Sequence, residues 1–249
     1  LSADVVVVLC DPADVRNVGP AIRAAANFEA RAIRVCGSRE FPEDALREFS
    51  AGALDTLPLE RFADARAALA GLDFVVGTSR RVHDQAGAPR WTSVGFGARL
   101  PAGSSCGVLF GNERTGLSLD TLDLCDAIVE VPTAARFPSM NLGQAVACVL
   151  YELRRGAETP VTRADDTQTE RPGRATARLA VYAEIERICH ALAYPPGRTA
   201  VGFVRRLKRL LGRARANTAE LSMVAGVFRE LERARGRAPR VADPTDDAT

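Results

Sequence analysis

Short apolar blocks alternate with longer amphipathic stretches through the first 155 positions of the chain. Residues 5–9 form an unbroken β-branched run, the pattern of a strand covered on both faces. Residues 15–28 switch to helical spacing, with Ile22, Ala25, Ala26 and Phe28 on the apolar side. Residues 33–36 predict a second short strand. Residues 42–49 predict a helix, with Pro42 near its first turn and Glu43 and Asp44 at its positive end. Residues 62–69 read as another helix. Three more strand-like runs follow at 74–77, 107–110 and 128–131. Residues 141–155 read as a long helix that buries Leu142, Ala145, Val146, Val149, Leu150 and Leu153. This alternation predicts an α/β fold, a parallel sheet with helices on both faces, and places ligands at the carboxyl ends of the strands.

The pattern changes after residue 155. Residues 156–173 are polar and hold Pro160 and Pro172, so they read as a linker. Three helical stretches follow at 174–193, 199–215 and 217–235, a small all-α region, and 236–249 read as a disordered tail. Around the middle stretch, over residues 198–215, Val201, Val204, Leu207, Leu210 and Leu211 recur at helical spacing, beside seven basic residues and no acid. The overall formal charge is only +2, yet residues 1–155 carry 16 basic and 19 acidic side chains, whereas residues 171–240 carry 16 and 5. A basic second region is the electrostatic footprint of a nucleic-acid binder. Arg205, Arg206, Lys208, Arg209 and Arg213 are the candidates to hold RNA phosphates. A solvated helix face, or one packed on a partner subunit, is the alternative. Aromatic residues are sparse in this region, which favours recognition of RNA shape and backbone over base stacking.

Composition narrows the setting. A chain of 249 residues, 47% hydrophobic, suits one sizeable domain plus a smaller one. No apolar run approaches the ~20 residues of a membrane span, and residues 5–10, flanked by Asp4 and Asp11, do not make a signal peptide. Starting at Leu1 rather than methionine, the chain reads as trimmed or processed at its N-terminus. Six scattered cysteines without a C-x-x-C pair read as buried free thiols of a reducing cytoplasm. His83 and His190 are the only histidines and lie far apart, so no metal site is expected.

The candidate chemistry lies in four loops. Residues 110–118, FGNERTGLS, nearly spell a phosphate-binding P-loop, but Leu117 occupies the lysine position and Glu113 adds a negative charge. Such a loop holds triphosphate poorly and better suits a neutral or cationic ligand. The others are Asn17-Val18-Gly19 running on to Arg23, Gly77-Thr78-Ser79-Arg80, and Val131-Pro132 followed by Phe137-Pro138-Ser139-Met140-Asn141. Taken singly they have plain local readings. Asn17, Ser139 and Asn141 suit helix caps, Arg23 a solvated charge, and Glu113 a salt bridge holding its loop.

As an ordered set, the four loops over residues 4–155 resemble the SPOUT-class RNA methyltransferases, and within them the TrmH family and its TrmJ-like branch of tRNA ribose 2′-O-methyltransferases. The stretches at 50–57 and 77–81 and the Arg-rich helical extension share the likeness. At Pro138-Ser139-Met140 and at Asn112 the chain departs from that branch's usual residues. The resemblance implies a sheet with a C-terminal trefoil knot, a homodimer, and S-adenosyl-L-methionine as methyl donor. It places Thr78, Ser79, Arg80, Gly111, Val131, Pro138, Ser139 and Met140 around the donor. It makes Arg23, Glu113, Ser139 and Asn141 the catalytic set, with Asn17 in support. The implied substrate is tRNA, at anticodon-loop position 32 (cytidine or uridine). A TrmH-family enzyme acting on rRNA, and a noncatalytic RNA-binding or assembly protein on the same scaffold, are the rival expectations.

Overall fold

The computed structural model describes residues 4–80, 88–101, 103–158, 175–197, 199–214 and 216–237. Seven strands alternate with helices over the first part: β1 Asp4–Cys10, α1 Val15–Asn27, β2 Ala32–Cys36, α2 Glu43–Phe49, β3 Leu59–Phe62, α3 Ala65–Ala68, β4 Phe74–Thr78, β5 Arg90–Thr92, β6 Ser105–Phe110, α4 Leu119–Asp123, β7 Ala127–Glu130 and α5 Leu142–Glu158. Three further helices close the chain: α6 Ala175–Ala191, α7 Ala200–Arg213 and α8 Thr218–Arg237.

The strands form one sheet in the order β3-β2-β1-β6-β4-β7-β5, and every pairing is parallel. β1 sits near the centre and is buried on both faces. Val5, Val7 and Leu9 join the core shared with α1 and α5, and Val6, Val8 and Cys10 join the core on the other face. A strand covered twice must be apolar throughout, which explains the unbroken run in the sequence. β3 and β5 are edge strands that the apolar pattern does not announce. β3 carries Glu60, which pairs with Arg34 of β2 at 2.7 Å. Charge on an edge strand blunts unwanted pairing with other chains. The helix expected over 62–69 is shorter, because Phe62 ends β3 and only Ala65–Ala68 turn helically behind the Asp64 cap.

The C-terminal half interleaves. β7 comes after β4, β5 and β6 in sequence, yet it pairs between β4 and β5. α5 then packs against α1 and against a 3-10 turn at Phe96–Arg99 that lies between β5 and β6. This is the layout a threaded chain needs. Residues 81–87, between β4 and β5, lie outside the described residues.

α6, α7 and α8 share a separate small core of Ile185, Cys189, Ala200, Val204 and Ala225. Their docking on the sheet unit is polar as well as apolar. Leu179 packs against the second core, and Arg178 meets Asp126 at 2.5 Å with both side chains largely buried. The expected linker is helical through Glu158 as the end of α5; its remainder and most of the expected tail lie outside the described residues.

Candidate active site

β4, β6 and β7 end side by side, and the loops leaving their carboxyl ends enclose a cavity of about 210 Å³. Thr78, Ser79 and Arg80 come from β4, Gly111 and Glu113 from the loop after β6, and Val131 from the exit of β7. Pro138, Ser139 and Met140 close the far wall, while Leu142, Ala145 and Val149 of α5 give it an apolar floor. All eight expected donor-binding residues therefore line one cavity. Thr78 also fixes the strand ends to each other, its hydroxyl donating to the Leu109 carbonyl at 2.8 Å.

The loop at 110–118 is folded so as to reject a P-loop role. The Asn112 side chain accepts from the backbone N–H groups of Arg114 and Thr115, at 2.9 and 3.3 Å. Those amides are thus turned inward, whereas a phosphate cradle must point them at its ligand. Leu117 is buried in the core at 5% exposure. Ser118 caps α4, accepting from Thr121 N at 3.1 Å. The turn closes so tightly that a Cβ on Gly111 would stand 2.1 Å from the Gly116 carbonyl carbon.

Glu113 links this loop to the start of α1, across the point where strand order reverses between β1 and β6. One carboxylate oxygen accepts from Ala13 N and the other from Asn17 Nδ2, both at 2.9 Å. Asn17 Oδ1 in turn accepts from Asn141 Nδ2 at 2.6 Å. Asn141 Oδ1 caps α5 through Gly143 N at 2.9 Å and Gln144 N at 3.4 Å. The amide orientations follow from the ends of this chain. Glu113 offers only acceptors, and Asn141 must turn its oxygen toward the helix, so Asn17 has one way to sit. α1 and α5 approach closely enough for this contact because Gly143 leaves room for Pro20; a Cβ there would be 2.6 Å from the Pro20 Cβ.

Three members of the expected catalytic set are therefore one hydrogen-bonded unit, and Ser139 stands on the cavity wall exposed, with no hydrogen bond among the described residues. Arg23 is not brought in. It is exposed on α1, a turn and a half beyond Asn17, without an ion-pair partner among the described residues. The cap of α1 is Asp14, not Asn17. The Arg16 guanidinium bonded to Asp14 holds that carboxyl down, at about 2. Among the described residues Glu113 does not make the salt bridge anticipated for it.

Residues 4–151 match the SpoU rRNA methylase family. The chain belongs to that family. Across 95% of its length it is 28% identical to a tRNA (cytidine/uridine/adenosine-2′-O-)-methyltransferase TrmJ of Pseudomonas aeruginosa, covering 97% of that protein. It is 30% identical to a tRNA (cytidine-2′-O-)-methyltransferase TrmJ of Methanocaldococcus jannaschii, over 59% of this chain and 66% of the relative. The crystal structure of TrmJ from Z. mobilis ZM4 superposes with a TM-score of 0.73 at 27% identity, covering 91% of this chain and 98% of that one.

The basic helix of this SpoU-family chain divides its cations between two jobs, and two of the five assigned to RNA need correction. Lys208 is buried, its ammonium donating to the Asp123 carbonyl and lying 5.7 Å from the Tyr182 ring centroid. Burial pushes the Lys208 pKa down, against the pull of Asp126 and Asp123, and pushes the Tyr182 phenol up to about 12. Arg205 meets Asp123 at 2.5 Å. These two side chains fasten α7 to the sheet unit. Arg206 is exposed, Arg209 is half-buried, and the Arg213 side chain lies outside the described residues. Lys208→Ala should accordingly lower stability by about 3 kcal/mol, because it strips a buried polar partner. Arg206→Ala should change it by less than about 0.5 kcal/mol. Urea unfolding of the two variants checks this, and equal midpoints would refute it.

Sequence reasoning passed over the rim of the cavity. Arg80 was expected at the donor, whereas Arg114 was given no role; both are exposed and line the cavity, and Arg136 is exposed two residues before the lining resumes at Pro138. Their signal lay in their position, since Arg114 and Arg136 sit inside the motif loops themselves.

Proposed function

We propose that this protein is an S-adenosyl-L-methionine-dependent tRNA ribose 2′-O-methyltransferase that works as a cytoplasmic homodimer. The observation that carries the reading is the cavity at the ends of β4, β6 and β7, whose lining includes Glu113, the residue hydrogen-bonded through Asn17 to Asn141. Family membership and full-length similarity to TrmJ proteins support the chemistry and the tRNA substrate. An AdoMet-bound rRNA methyltransferase from Sinorhizobium meliloti shares the fold at a TM-score of 0.52. Buried, unpaired thiols at Cys10, Cys36, Cys106, Cys125 and Cys189 suit a reducing compartment.

The residues present fit the donor. The tight Gly111 turn lets backbone come close to a ligand, the floor is apolar, and the loop carries a carboxylate rather than a lysine. Bound there, S-adenosylmethionine supplies a methyl group already activated on a sulfonium. The ribose 2′-hydroxyl would be the methyl acceptor, and the chain's own groups would have to orient its oxygen and let its proton leave to solvent. The protein's task is alignment, which supplies up to ~7–11 kcal/mol in ideal cases. Ser139 has a free hydroxyl to orient the attacking oxygen, and the start of α5 favours negative charge developing there. Asn141, Asn17 and Glu113 hold that helix start in register with the Gly111 loop. Arg23 is no general base, since a guanidinium stays protonated; it suits the phosphate beside the target ribose.

Exposure of Arg23 within a single chain supports a shared site, in which one subunit's Arg23 serves the cavity of the other. Tyr151 of α5, 54% exposed, packs edge-on to Phe28 at 6.4 Å, and gives this helix pair an aromatic face for a second copy. Arg206 and the rim arginines are the surface offered to RNA phosphates.

Incubation with radiolabelled donor and separate tRNA and rRNA pools, followed by mapping of labelled ribose, tests the reading. Label in an anticodon loop, at position 32 as in the TrmJ-like branch, supports it. Label confined to rRNA would move the enzyme to the substrate that its family's description names. Arg23→Ala should lower kcat/KM about 100-fold without weakening donor binding. Mixing Arg23→Ala with Ser139→Ala subunits should restore about a quarter of the wild-type sites. No recovery would refute the shared site.

A further inference from the structure

The segment between β7 and α5 carries a side chain that the catalytic reading does not use. Phe137 is 79% exposed, more than any other large hydrophobic side chain described. Its backbone is not free to fold the ring away. Phe137 N donates to the Ala134 carbonyl at 3.1 Å, and the Thr133 hydroxyl donates to the Pro138 carbonyl at 3.1 Å. Pro138, Ser139 and Met140 then turn into the cavity wall. The ring thus stays in solvent one residue before the cavity lining is reached at Pro138, and Arg136 is exposed next to it in sequence.

We propose that Phe137 is the platform on which the base of the methylated nucleotide stacks, a positioning residue that sets the ribose over Ser139. The inference rests on the RNA 2′-O-methyltransferase reading. An unpaired RNA base must be splayed from its neighbours before its ribose can reach an enclosed donor, and an aromatic face replaces the stacking it loses. The geometry has the right reach. Two residues of chain span at most ~7 Å, a length comparable to that from a ribose 2′-hydroxyl to the face of its own base. The exposed Arg136, adjacent in sequence, is a cation available to the adjoining phosphate. Stacking on a phenyl ring tolerates every base, so this device selects an unstacked nucleotide rather than a particular one.

The test uses the full-length protein, tRNA, and the same RNA with an abasic site at position 32, the expected target. Phe137→Ala should raise the KM and the filter-binding Kd for tRNA roughly 5- to 100-fold, with donor Kd unchanged and kcat falling less. Phe137→Tyr should recover binding and Phe137→Leu should not. On the abasic RNA, wild type and Phe137→Ala should bind alike, because the ring has lost its partner. An undiminished Phe137→Ala penalty on abasic RNA, full activity in Phe137→Leu, or a matching loss of donor affinity would each overturn the proposal. RNA binding is read separately from methyl transfer. Phe137-independent binding by an active enzyme sinks the platform alone, whereas base-dependent binding through Phe137 without any methylation sinks the enzymatic reading alone.

Discussion

Gly111→Ala is expected to cost about 3 kcal/mol of stability and at least about 100-fold in methyl transfer. The added Cβ would stand 2.1 Å from the Gly116 carbonyl carbon and 2.2 Å from Leu117 N. Both neighbours are backbone, so no side-chain rotation can relieve the contact. The loop must open. Opening breaks the Gly116 N to Asn112 carbonyl bond of 2.7 Å and draws Leu117 out of the core. It also carries Glu113 away from Ala13 and Asn17, which lets the first turn of α1 shift against the start of α5. A misplacement of about 1 Å at a transfer site is enough for a 100-fold loss. Urea unfolding and initial rates, measured on the same preparation, check both parts. A variant with wild-type kcat/KM would show that the turn can open without consequence and that its closeness is incidental.

The parts of the fold legible in the sequence were those buried on both faces. β1 and β6 lie in the middle of the sheet, so nothing polar could be accepted along them, and their apolar runs stood out. β3 and β5 are edges of three or four residues with Glu60, Arg61 and Arg90 among them, too short and too charged to show a period. The site divided in a similar way. Asn17, Glu113, Ser139 and Asn141 were legible as members of an ordered set, and the structure does join three of them. The link itself was not legible, because Glu113 and Asn17 are 96 positions apart and each has a sufficient local reading. The basic helix misled for a different reason. Lys208 falls one turn after Val204 and two after Val201, in line with the apolar stripe, while Leu210, which was placed on that stripe, is 55% exposed. A cation in phase with the buried face signals docking on a carbonyl or carboxylate. Charge counting treated it as one more surface cation.

Asn17→Asp should be the most damaging isosteric change in the site, and its damage should depend on pH. Asn17 works by offering a donor to Glu113 and an acceptor to Asn141 at once. Aspartate keeps the acceptor but sets a second carboxylate about 3 Å from Glu113. Asn141 cannot compensate, since turning its amide would strip the cap from α5. Two carboxylates that close cannot both stay ionised at low cost, and a shared proton would restore the missing bond. The pair's proton affinity is therefore raised in the folded protein relative to the unfolded chain, where aspartate titrates near 3.9. The sign follows: the folded variant binds more protons than the unfolded one across the interval between those two values. Its stability relative to wild type is retained below the unfolded pKa and lost as pH rises through the folded one. Methylation should show the same direction, about 100-fold below wild type at pH 8, with the gap narrowing as pH falls toward 6. Paired rate and unfolding profiles across that range test the assignment. A deficit that stays constant with pH would mean that Glu113 and residue 17 do not face each other in the working enzyme. The hydrogen-bonded unit would then be a feature of the resting fold alone.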